Sequence, residues 1–105
     1  STSAATNPSA DLEAAVRNYS SAFLTGDGAA AYALLSERCQ DATPLSDFAA
    51  ITEQAADTYG EVAIKSLKVK VDGDKGTATY TYPVATLNQS EQSWVNEDGW
   101  KWDAC

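Results

Sequence analysis

The amino-acid sequence predicts an α+β domain in which three N-terminal helices pack into a curved, mainly antiparallel, four-stranded sheet. Three observations carry that prediction. Apolar residues recur every three or four positions up to Gly60, they alternate every two positions beyond it, and glycine or proline stands where one run gives way to the next. The chain has 105 residues, 44% hydrophobic and 21% charged, an ordinary balance for one compact domain. Area scaling lets a chain of this size hide about 65% of its unfolded surface, enough for one core and no second domain.

Residues 1–9, STSAATNPS, are small and polar and include Pro8, which predicts a flexible tether ahead of a domain spanning 10–105. Ser9 is placed to cap a first helix whose Leu12, Val16, Tyr19 and Phe23 share a face and which stops at Gly26. A tight Gly26-Asp27-Gly28 turn leads to an alanine-rich second helix over Ala29–Arg38, with Tyr32, Leu35 and Cys39 on one side. Pro44 breaks the pattern. Ser46 opens a third helix with Phe48, Ile51, Ala55 and Tyr59 on its apolar face, closed by Gly60.

The first strand sets Leu67, Val69 and Val71 against Lys68 and Lys70, while Val62 and Ile64 are in the opposite phase, which predicts a bulge at Lys65 and Ser66 and a bend in the sheet. Turn residues from Asp72 to Gly76 lead to a second strand whose Ala78, Tyr80 and Tyr82 alternate with Thr77, Thr79 and Thr81. Pro83 marks an edge or an interruption. A turn near Asn88 and Gln89 precedes a strand through Trp94 and Val95, and Glu97-Asp98-Gly99 precedes the last, with Trp100 and Trp102 on one face. Such a sheet has one face to hide and only the helices to cover it. A bent sheet wrapped round helices leaves a cone with an open mouth, where a ligand would enter.

Fifteen acidic residues against seven basic ones give a formal net charge of −8, and the bases form no stripe, so nucleic acid is not an expected partner. The sequence shows no apolar run long enough to span a membrane and no charged-then-apolar leader, which reads as a mature or trimmed chain. Histidine is absent, and with it the commonest general base, the usual catalytic triads and the commonest metal ligand. Cys39 and Cys105 are too distant for a Cys-x-x-Cys pair and too few for a metal site, and are read as a disulfide. The link is worth roughly 4 kcal/mol for a loop of that length and implies an oxidising compartment. Asp72-Gly73-Asp74 begins like a calcium loop but lacks its later ligands and reads as a hairpin turn. Asn18-Tyr19-Ser20 and Asn88-Gln89-Ser90 fit a glycosylation sequon, the first of them inside a helix. Lys65, Lys68 and Lys70 fit either an anion-receiving patch or a guard against edge pairing.

The text Val16-x-x-Tyr19-x-x-Ala22-x-x-x-Gly26-Asp27, followed by Ala31-Tyr32-x-Leu34-Leu35, resembles the opening of the nuclear transport factor 2-like superfamily, and Trp94-Val95-x-x-x-Gly99-Trp100-Lys101 resembles its closing hairpin. The resemblance covers most of the chain after Ser9 and implies a cystatin-like cone. The polar leader, the alanine-rich second segment and the paired cysteines look most like small exported or lipid-anchored actinobacterial members. No single activity is implied, because that fold carries isomerases, dehydratases, transport adaptors and noncatalytic domains. In its steroid isomerase branch a helix tyrosine, matched in register by Tyr19, hydrogen-bonds a developing oxyanion while a carboxylate shuttles the proton. The place of that carboxylate holds Thr43, within Asp41-Ala42-Thr43-Pro44, and threonine does not remove a carbon-bound proton at neutral pH.

The expected function is therefore a noncatalytic exported binding or interaction domain of the cell envelope, taking a small apolar ligand or a protein partner. No catalytic residue, cofactor or metal is assigned, and any membrane attachment runs through a removed N-terminal anchor. Tyr19, Tyr59, Tyr80, Tyr82, Trp94, Trp100 and Trp102 are the candidate lining of the pocket, since rings with polar tips suit a mouth that meets both apolar ligand and water. Core packing is the competing reading of the same rings. Two alternatives are an isomerase- or dehydratase-like enzyme using Tyr19 with Asp41 or Asp47, and a homodimer formed through the outer sheet face.

Overall fold

The computed structural model describes residues 8–105. Four helices, α1 (Pro8–Leu24), α2 (Gly28–Ala33), α3 (Glu37–Ala42) and α4 (Leu45–Tyr59), precede the strands β1 (Ser66–Asp72), β2 (Lys75–Thr81), β3 (Gln89–Asn96) and β4 (Trp100–Trp102). The strands form one open antiparallel sheet in the order β1-β2-β3-β4, the meander that the alternation predicts.

Helix α1 buries Leu12, Val16 and Tyr19 as the spacing requires, with Ser20 and Leu24 beside them. Pro8 and Ser9 belong to this helix rather than to the tether, since the fixed φ of proline suits a first helical turn; the remaining tether residues, 1–7, lie outside the described residues. Asp27 caps α2 by accepting the Ala30 N–H at 3.1 Å. Gly28 brings α2 against α4 so closely that a Cβ there would stand 2.8 Å from the Cα of Ala49.

The single helix expected over Ala29–Arg38 is two helices, because β4 claims the backbone between them. Ser36 N–H donates to the Trp102 carbonyl at 2.8 Å and Trp102 N–H to the Leu34 carbonyl at 2.7 Å, a parallel bridge between Leu35 and Trp102. Ser36 then caps α3, its hydroxyl accepting the Cys39 N–H at 3.3 Å. The Tyr32 hydroxyl lies 2.8 Å from the carbonyl oxygens of both Gln40 and Thr43, and Gln40 Nε2 donates to the Tyr32 carbonyl at 2.8 Å, so α2 and α3 are locked together despite the break.

Two other expectations are corrected. On α4 Ile51 is 49% exposed and Thr52 takes the fully buried position, its hydroxyl satisfied by the Ala49 carbonyl at 2.8 Å. At the start of the sheet Val62 and Ile64 precede the ladder, and β1 opens at Ser66 opposite Thr81. The irregularity falls instead between Ala78 and Tyr80, where β3 shifts register and Glu91 takes a φ of 48°.

The inner face of β2 buries Ala78 and Tyr80, and Tyr82 beyond the strand end is buried with them. Gly76 is required at the head of this strand: a Cβ there would lie 2.7 Å from Leu12 Cδ2 and 3.0 Å from the Lys70 carbonyl oxygen. Trp94 pairs with Gly76 and Trp102 in the ladder and is 1% exposed, its Nε1 without a hydrogen-bond partner.

Candidate functional site

Helix α4 packs on α1 and α2 rather than across the sheet. The space between it, α1 and the inner face of β2–β4 is a cavity of about 330 Å³. Helix α1 presents Tyr19, Ser20, Phe23 and Leu24 to it, α4 presents Phe48 and Ile51, and the sheet side contributes Tyr80, Tyr82, Gln89, Gln92 and Trp102. Cys39 and Cys105 line it as well, joined in the predicted disulfide with their Cα atoms 5.7 Å apart.

Four of the seven rings read from the sequence, Tyr19, Tyr80, Tyr82 and Trp102, thus meet at the cavity. The other three serve the core. Trp94 is buried edge-on to Tyr19 at 5.8 Å, Trp100 packs beside Gly76 at the far end of the sheet, and Tyr59 lies half-buried against the core at the end of α4. Phe23, Phe48 and Gln92 join the lining beyond those seven rings. The first two stand in the helical apolar pattern, but periodicity tells which face a residue occupies and not whether a neighbour fills the space in front of it.

The rings form a connected wall. Tyr19 stacks on Trp102 with centroids 5.7 Å apart and planes 12° from parallel, meets Phe23 at 5.9 Å, and Phe23 meets Phe48 at 6.0 Å. Trp102 Nε1 donates to Gln92 Oε1 at 3.0 Å, fixing the indole and the amide together. Tyr82 and Ser20 share a hydrogen bond of 2.6 Å. Burial pushes the phenols of Tyr19, Tyr80 and Tyr82 above the ordinary tyrosine range, and their mutual proximity adds to this for Tyr19 and Tyr80, whereas the Ser20 hydrogen bond pulls Tyr82 back. All three are neutral at physiological pH.

Among the described residues no charged side chain lines the cavity. Asp41 and Asp47, the carboxylates paired with Tyr19 in the enzymatic reading, are exposed and lie outside the lining. Asp103, next to Trp102 in the chain, is engaged elsewhere: it accepts from Ser36 Oγ at 2.6 Å and from Arg38 Nε at 3.1 Å. Partial burial works to raise its pKa, and the two hydrogen bonds with the charges of Arg38 and Lys75 outweigh that and hold it below the usual range. Among the described residues no group of histidine, cysteine and carboxylates could hold a metal ion, and no helix is long and apolar enough to cross a membrane. Asp72-Gly73-Asp74 is the first hairpin turn, with Asp72 opposite Lys75 and Gly73 at a φ of 66°.

No protein-family model, curated protein or solved structure matches the chain.

Proposed function

We propose that the chain is a noncatalytic binding domain that takes a small neutral molecule, mostly apolar, in the cavity between α1, α4 and the sheet. The observation that carries this reading is the lining itself: rings and aliphatic side chains, two amides, hydroxyls and neutral phenols, with no charged side chain among the described residues. A charged ligand would lose its hydration there without gaining a counter-ion, whereas an apolar one exchanges water for ring faces. The volume sits near the lower end of small-molecule sites, which run from roughly 300 to 1,000 Å³. The helices-then-meander order supports the resemblance to the nuclear transport factor 2-like cone, and the disulfide supports an exported location in the cell envelope.

The test uses a neutral fluorescent probe, N-phenyl-1-naphthylamine, titrated into the oxidised protein. Saturable enhancement that weakens in Leu24→Phe and Ile51→Phe, both of which add bulk to the lining, is the expected result. Enhancement that is unsaturable, or unchanged in both variants, would place the probe on the surface and remove the proposal.

A further inference from the structure

The two edges of the sheet are treated differently. Beyond β4 the backbone is sealed by Leu34 and Ser36, as described above. Beyond β1, the other edge of the sheet, no described residue pairs. This seven-residue strand exposes Ser66, Lys68, Lys70 and Asp72 on its outer side and leaves Leu67, Val69 and Val71 half-buried on its inner side.

We propose that the free edge of β1 is a docking site for an extended acidic segment of another protein, which adds to the sheet as a fifth strand. Charge decides the occupant. Up to Glu61 the sequence holds nine acids and two bases, and beyond it six acids and five lysines, so an acidic chain turns its lysines toward the sheet. Among the described residues the one ion pair is Arg38–Asp103, which leaves Lys68 and Lys70 without a carboxylate within 4.0 Å. A second copy pairing β1 to β1 about Val69 would set Lys68 and Lys70 against each other, like charges directly opposite. An incoming strand with glutamate at alternate positions meets both lysines on the outer side instead, while apolar residues between them extend the inner row of Leu67, Val69 and Val71. Overall repulsion by the net charge of −8 does not prevent this. At physiological ionic strength charges are screened over about 8 Å, and cross-strand partners stand roughly 5 Å apart. Nucleic acid is disfavoured because the strand offers no arginine or aromatic ring to a base, and a membrane because its exposed side chains have nothing apolar to insert.

The experiment titrates isotopically labelled protein with a capped eight-residue peptide alternating valine and glutamate, and with its valine–lysine counterpart, following backbone amides by NMR. The expected result is binding of the acidic peptide alone, with shifts concentrated in β1. In the double variant Lys68→Glu, Lys70→Glu the acidic peptide should lose about tenfold or more in affinity and the basic peptide should gain. Both lysines are exposed, and an unchanged amide spectrum outside β1 verifies the fold. Equal binding of the two peptides, shifts centred on the outer faces of β2 and β3, self-association through β1 in sedimentation, or no binding at millimolar peptide would each overturn the proposal. The cavity probe reads a different site, so failure here leaves the small-molecule reading standing.

Discussion

Helix α1 meets the sheet in two different ways along its length. Near its start Leu12 lies so close to Gly76 that a single methyl group would not fit between them, and Trp94 and Trp100 fill the surroundings. Near its end Tyr19, Phe23 and Leu24 face a cavity, although their side chains are no less apolar. The difference lies in what stands opposite. A glycine in β2 lets backbone and helix close on one another, whereas at the other end α4 rests on α1 and α2 and leaves its sheet side uncovered. Hydrophobic pattern builds both ends, and the third layer decides which of them can admit a guest.

The largest effect that tests this contrast is alkaline unfolding. Tyr19, Tyr80 and Tyr82 have folded-state pKa values raised above the unfolded value, chiefly by burial. Below about pH 10 both states keep the proton and the full stability is present. As pH rises further the unfolded chain releases protons that the folded one retains, costing about 1.4 kcal/mol per pH unit for each of Tyr19 and Tyr80 and less for Tyr82, whose hydrogen bond to Ser20 offsets part of its burial. The fold should therefore collapse cooperatively above pH 10, with tyrosinate absorbance and loss of circular dichroism moving together. Tyrosinate that appears near its ordinary pH in an intact fold and is lost from that titration in Tyr19→Phe would mean that the cavity end is as wet as the surface.

Next is the disulfide, which belongs to the cavity end alone. Replacing Cys39 and Cys105 by alanine should lower the unfolding free energy by about 4 kcal/mol, measured with urea, and weaken the naphthylamine probe. Probe affinity that survives would show that the rings hold the cavity open by themselves. The smallest effect is a difference between two truncations. Leu12→Ala should cost about 4 kcal/mol and Leu24→Ala about 2 kcal/mol, because Leu24 already borders empty space and leaves fewer contacts to lose. Equal costs by urea denaturation would erase the distinction between the ends.

Much of the architecture was legible because local periodicity survives in the fold. Leu12, Val16 and Tyr19 mark α1, and Ala78 and Tyr80 mark the inner face of β2, just as their spacing indicates. The break between α2 and α3 was not legible, since it depends on a strand far along the chain claiming the backbone of Leu34 and Ser36, and nothing local distinguishes a buried Leu35 in a helix from one in a bridge. Thr52 is not legible as a core residue because a hydroxyl satisfied within its own helix turn can be buried like an alkyl group. Among the aromatic residues alternation identified the face and not the depth: Trp94, Trp100 and Trp102 point the same way, yet only Trp102 reaches the cavity.

The seam between Leu35 and Trp102 also bears on the order of assembly. Neighbouring strands of the meander join segments adjacent in the chain, but Lys101 Nζ reaches the Ala33 carbonyl at 3.0 Å across a sequence separation of 68 residues. Closing so long a loop is entropically slow relative to zipping a hairpin. The hairpins and the helical layer can therefore form as separate halves, with β4 as the clasp that fastens them late, and substitutions at the clasp should accelerate unfolding far more than they retard folding.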